Sequence, residues 1–177
     1  MAISYYVDDF TGRKGIGYSV AGSVASANAG AFSGGTLDLQ PYTDVGRFVS
    51  MATNRAGTAR FLAWRDLTNR TARWARCTVA SGLCSFTSPA LLPDAASSDH
   101  GKNTVVSYDA QGFPRIAYLD VANGKIRVVV HDNASAFNET AEFAASASPT
   151  GLSMAFGTGV NVAYDSTTPA LKFFTGP

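Results

Sequence analysis

The chain has 177 residues, 46% of them apolar, 11% aromatic and only 15% charged. That is enough to bury roughly 70% of the unfolded surface in one domain, and it is the opposite of a disordered composition. Fourteen basic and thirteen acidic side chains leave a formal charge of +1, which excludes a global field drawing the protein to nucleic acid or an acidic membrane.

In chain order, the apolar–polar alternation of Ile3-Ser4-Tyr5-Tyr6-Val7-Asp8 and Gly15-Ile16-Gly17-Tyr18 predicts a hairpin near 3–20, turning through Thr11-Gly12. Gly35–Gln40 and Phe48–Thr53 read as the inner and second strands of the next unit. A hairpin near 60–79 follows, with Arg60–Asp66 and Ala72–Ala75 joined through Thr68-Asn69. Cys77 and Cys84 lie across Ser81-Gly82, which can turn the chain and bring the sulfurs together as a local disulfide; two reduced thiols are the alternative. Further hairpins are expected near 114–131 and 160–175, the first turning at Asn123-Gly124 and the second at Thr168-Pro169. The stretch Ala134–Ala147 lacks a clean apolar stripe and reads as a loop leading into a strand. The expectation is an all-β single domain, 1–177.

The hairpins repeat one design, in which an apolar strand ends in an aromatic and an Asp placed to cap the turn. The aromatic anchors Tyr5, Trp64, Tyr118 and Tyr164 are 59, 54 and 46 residues apart, and Asp8, Asp66, Asp120 and Asp165 are the expected structural turn residues. Spacing of this size belongs to four-stranded propeller blades and counts about three and a half of them in this chain, closed as a small propeller or completed by another chain. Upstream, Asp44–Ala52 reads as the counterpart of Lys102–Asp109.

Gly112-Phe113-Pro114-Arg115-Ile116-Ala117-Tyr118-Leu119-Asp120 resembles the Gly-x-Pro-x-Ile-Ala-Tyr-x-Asp repeat of bacterial β-propeller proteins, among them sialidase- and lectin-type blades. The Cys77/Cys84 pair is similar to cysteine pairs between blades in some of them. Ser107–Pro114 resembles the Asp box of sialidase-type propellers, with one inserted residue and no Thr-Trp end, and implies a structural turn. The resemblance implies fold more than activity, because propellers carry many functions.

Seven arginines, Arg47, Arg55, Arg60, Arg65, Arg70, Arg73 and Arg76, fall within thirty residues. With Trp64 and Trp74 interleaved, they can hold an anionic or sugar ligand. Strand alternation would instead place them on the solvent face of one blade. Equivalent sugar sites at the repeated aromatics are a further expectation. The candidate ligand-binding set is therefore Trp64, Arg65, Arg73, Trp74, Arg76, Tyr118 and Tyr164. The glutamates Glu139 and Glu142 are not placed beside a Tyr nucleophile, and His100 and His131 show neither metal-ligand spacing nor a nucleophile context. No cofactor, metal or catalytic residue is expected.

The reading is thus a non-catalytic module binding a glycan or a protein, lectin-like, through blade surfaces. The alternative is an assembly subunit that oligomerises through open blade edges with its own copies or a complementary propeller chain, and a glycosidase is the weakest reading. No run approaches the roughly 20 apolar residues of a membrane-spanning helix. A disulfide points to an extracellular or secreted protein, although Met1–Asp8 lacks the pattern of a signal peptide.

Overall fold

The structure is a computed structural model that describes residues 2–8, 13–20, 33–41, 44–80, 83–93, 99–131, 137–144, 151–156, 160–166 and 170–176. Its regular elements among these residues are strands: β1 (Ala2–Asp8), β2 (Arg13–Val20), β3 (Ser33–Pro41), β4 (Val45–Thr53), β5 (Ala59–Asp66), β6 (Thr71–Ala80), β7 (Leu83–Phe86) and β8 (Ala90–Leu91). They continue as β9 (His100–Tyr108), β10 (Pro114–Asp120), β11 (Lys125–His131), β12 (Phe137–Ala144), β13 (Leu152–Phe156), β14 (Val160–Ser166) and β15 (Ala170–Gly176). Four antiparallel sheets follow the chain: β1-β2-β3, then β4-β5-β6-β7 with β8 also on β6, then β9-β10-β11-β12, then β13-β14-β15. The all-β reading holds, and the sheets are open, propeller-like blades.

The second and third sheets repeat each other in backbone detail. Asp66 Oδ1 accepts the Asn69 amide at 3.0 Å and Oδ2 accepts Asn69 Nδ2 at 2.7 Å. Asp120 holds Asn123 in the same way, at 3.1 and 2.8 Å. Each four-residue loop ends in a left-handed residue, Arg70 at φ +57° and Gly124 at +61°. The first strands of both sheets carry the same bulge, with Gly46 and Phe48 at φ +100° and +53° matched by Gly101 and Asn103 at +83° and +55°. Only glycine fits Gly101, where a Cβ would run into Ala72. The offset is 55 residues from Gly46 to Gly101 and 54 from Asp66 to Asp120, so one residue separates the copies, in the turns at Asn54 and Asp109.

Consecutive sheets stack face to face. One core holds Ile16 of the first sheet against Val45, Leu62 and Trp64 of the second. The next joins Phe61 and Ala63 to Ile116, Tyr118 and Val129. The third joins Ala117, Leu119 and Val128 to Met154, Val162 and Tyr164. A sheet packed on both faces needs few polar positions, and all eight residues of β5 are buried. This explains the low charge content.

Several expectations change. Gly35–Gln40 lies in β3 and pairs with β2, so it completes the first sheet rather than opening the second. Ala134–Ala147 contains a strand, β12, because the third sheet's edge recruits it despite its mixed polarity. The upstream repeat aligns Asp44 with Asp99 and Arg47 with Lys102, since the Leu67 and Val121 amides donate to the Asp44 and Asp99 carbonyls at 2.8 Å each. The arginines do not share a solvent face: Arg60 and Arg65 are buried. The turns at Thr11-Gly12, Ser81-Gly82 and Thr168-Pro169 lie outside the described residues.

Candidate functional site

Each sheet carries one short signature on its hairpin's first strand: Ile3-Ser4-Tyr5, Leu62-Ala63-Trp64, Ile116-Ala117-Tyr118 and Val162-Ala163-Tyr164. In the last three the aromatic is a knob driven into the preceding sheet. Trp64 packs with Ile16, Tyr118 with Phe61 and Ala63, and Tyr164 with Ala117 and Leu119. These three rings are 0–1% exposed. In the second and third sheets the alanine before the aromatic points the other way, toward the next sheet. Ala63 receives Tyr118 in one core and Ala117 receives Tyr164 in the next.

Tyr5 stands at the same position but is 46% exposed, and Ile3 beside it is 50% exposed. Tyr5 pairs across the ladder with Gly17, and its ring lies on that residue so closely that a Cβ there would collide with it. The next residue confirms the facing. The Tyr6 hydroxyl donates to Asp44 Oδ1 of the second sheet at 2.8 Å, and Arg65, one residue after Trp64, bonds Asp99 of the third sheet. Tyr6 and Asp44 are thus repeated as Arg65 and Asp99, offset by 59 and 55 residues. Burial, with the hydrogen bond to Asp44, pushes the Tyr6 hydroxyl up to about 12. Burial works against ionisation of Asp44, but hydrogen bonds from Arg47 and Tyr6 outweigh it and hold the carboxyl below its usual range.

The sequence-derived ligand set is scattered by these facts. Trp64, Tyr118 and Tyr164 are core knobs with no face to offer a ligand, because sheet stacking consumes both sides of a central strand. Arg65 is buried with Asp99. Arg73 is half-buried across from Trp64 and is held by Asp38 at 3.1 Å and Asp66 at 3.4 Å, while Trp64 Nε1 donates to the same Asp38 at 3.2 Å. Trp74 is half-buried, stacked on Phe61 at 5.6 Å with His131 and Phe137 edge-on. Arg76 is exposed, with its guanidinium carbon 5.9 Å from the Phe61 ring centre.

Among the turn residues, Asp66 and Asp120 cap their loops as equivalents, each two residues after its knob. Asp8 is exposed at the end of β1, 3.7 Å from Lys14, and stands three residues after Tyr5. Asp165 follows Tyr164 directly, and its side chain lies outside the described residues. Asp109, in the Asp-box-like segment, accepts the Gln111 and Phe113 amides at 3.1 and 2.8 Å. Asn69 and Asn123, expected as turn positions, are the partners of the capping Asp66 and Asp120, and Arg127 joins the second cap, a role not expected from the sequence. The signal that finds them is Asp-x-x-Asn-x-x-x-Arg, present as Asp66/Asn69/Arg73 and Asp120/Asn123/Arg127.

Cys77 and Cys84 form a disulfide with Cα atoms 5.6 Å apart, compatible with an extracellular location. Among the described residues, no helix is long and apolar enough to cross a membrane. His100 is fully buried 3.9 Å from Asp120, and His131 is buried among the aromatics. Among the described residues there is no cluster of three or more potential metal ligands. No protein-family model matches the chain, and no curated protein does either.

Proposed function

We propose that the chain is a non-catalytic binding module whose contact surface is the outer face of the first sheet and whose partner is a protein. One observation carries this reading: Tyr5 is 46% exposed at a position where Trp64, Tyr118 and Tyr164 are 0–1% exposed. A flat sheet face presenting an aromatic and an isoleucine suits another protein's sheet better than a sugar, which needs convergent polar groups. Several titratable groups elsewhere serve structure. Asp66, Asp109 and Asp120 hold turns, and Glu142 pairs with Lys125 and Arg127. A photoreactive benzoylphenylalanine at position 5, irradiated in the native extract, should join one polypeptide at one mapped surface, with excess unmodified protein competing. No adduct, or scattered adducts that do not compete, removes the reading.

The half-buried Trp74 beside the exposed Arg76 favours a second reading, an acidic or sulfated glycan held between aromatic face and guanidinium. Its test is a glycan array with salt titration. Binding that survives Trp74→Ala, or that ignores salt, eliminates it.

A further inference from the structure

We infer that the buried guanidinium of Arg60 holds an oxyanion, the carboxylate, phosphate or sulfate group of a small ligand. The site is separate from the protein contact proposed above and does not use the outer face of the first sheet.

Arg60 is 7% exposed, and its Nε and Nη1 are buried with no hydrogen-bond partner among the described residues. Arginine keeps its charge throughout the pH range in which proteins fold, so burial is not relieved by loss of a proton. A buried charge with no partner is strongly destabilising. The fold does not call for that charge. Arg60 stands 54 residues before Pro114, as Asp66 stands 54 before Asp120, and the ladder pairs Arg60 with Thr53 as it pairs Pro114 with Tyr108. Pro114 is buried and uncharged, so an apolar residue satisfies the same position in the next sheet.

The arginine cluster sorts into two ends of the second sheet. Toward Asp66, Arg47 meets Asp44, Arg65 meets Asp99, and Arg73 meets Asp38 and Asp66. The other end, around the turn at Asn54, carries Arg60 with the exposed Arg55 and Arg76, and none of these three has an acidic partner among the described residues. Six residues of strand put Arg60 about 20 Å from Asp66, beyond pairing distance. The acids thus neutralise one end and leave the other cationic.

Alternation puts Arg60 on the face of β5 that carries Leu62 and Trp64, the face packed against the first sheet. Its neighbour on β6 is Cys77, fully buried in the disulfide, and beyond that is Phe86, edge-on to Tyr18 of the first sheet at 4.7 Å. This side is an apolar wall, which strengthens a charge-assisted hydrogen bond made beside it. Thr53, the neighbour on β4, is exposed and marks the side from which a ligand enters, with a hydroxyl that can donate to it. In the planar guanidinium Nη2 shares one edge with Nε and the other with Nη1. Two oxygens set on either edge therefore engage one of the orphaned nitrogens.

Calorimetry and thermal unfolding of the intact chain test the proposal, in dilute chloride buffer with acetate, phosphate or sulfate added at matched ionic strength. At least one of these anions should bind saturably, one per chain, and raise the wild-type Tm with concentration; the anion that does so separates a carboxylate site from a tetrahedral one. Arg60→Lys should weaken binding at least about tenfold, because an ammonium lacks the fork. Arg60→Met should abolish it while starting from a higher Tm in chloride alone. Trp74→Ala and Arg76→Met should leave it unchanged, which separates this site from the glycan surface.

A wild type that binds none of the three anions at millimolar concentration overturns the proposal. So does binding that persists in Arg60→Met, or unweakened in Arg60→Lys should the first variant fail to fold. A Tm that rises equally in wild type and variants also overturns it, as the general effect of excluded salt. None of these outcomes bears on the photocrosslink at position 5, so the two readings stand or fall separately.

Discussion

Asp120→Asn tests whether the repeated turn network stabilises the interior sheets. The Asp120 carboxylate is fully buried and accepts three hydrogen bonds, from the Asn123 amide at 3.1 Å, Asn123 Nδ2 at 2.8 Å and Arg127 Nε at 2.9 Å. An asparagine keeps one acceptor oxygen, so the backbone bond survives. The new NH2 faces a donor, and the charge-assisted bond to Arg127 is lost. A hydrogen bond to a charged group is worth about 1.5–3 kcal/mol and a neutral one about 1 kcal/mol, so the change should cost roughly 3 kcal/mol. Arg127 keeps Glu142 at 3.5 Å, which limits the loss.

In a domain of this size about 3 kcal/mol lowers Tm by roughly 6–12 °C. Burial disfavours the Asp120 carboxylate, but hydrogen bonds from Asn123 and Arg127 win and hold its pKa below the usual carboxylate value. The stabilisation is therefore fully present above the unfolded carboxyl pKa near ~3.9 and disappears as pH falls through the lower folded value. Urea unfolding of wild type and variant at neutral pH and in steps below about pH 4 should show a difference that is constant and then shrinks. A cost under about 1 kcal/mol, or a difference independent of pH, refutes the reasoning.

Four further outcomes follow from the same geometry. Tyr118→Ala should cost about 3–5 kcal/mol in chemical denaturation and Tyr5→Ala less than about 1 kcal/mol under conditions where the chain is monomeric; equal costs would erase the distinction between covered and uncovered knobs. Arg70→Gly should stabilise by roughly 0.5–1 kcal/mol and Gly124→Ala should destabilise by about 1 kcal/mol, measured as Tm shifts, because both positions are left-handed. Arg60 is buried with Nε and Nη1 lacking an acceptor among the described residues, so Arg60→Met should raise stability by about 1–3 kcal/mol in the same assay. The raised Tyr6 value means its contribution is fully present below about pH 10 and is lost as pH rises through about 12; burial raises Tyr108 to about 12 as well, so absorbance titration at alkaline pH should show both titrating late, and Tyr6→Phe should remove one of them.

The fold was legible where local chemistry dictates it. An Asp followed three residues later by Asn must turn, and alternation flanked by such turns must pair. The hairpins of β5–β6 and β10–β11 follow directly. What β3 and β12 do was not legible, because an edge strand is decided by the neighbour that offers it hydrogen bonds, and that neighbour is distant in the logic of periodicity. The candidate site was half legible. Tyr5, Trp64, Tyr118 and Tyr164 stand out by spacing, but spacing does not say that three are covered and one is not. Arginine density misled for a related reason. Arg65 and Arg73 look like a solvent face until Asp99, Asp38 and Asp66 arrive from elsewhere in the chain to pair with them.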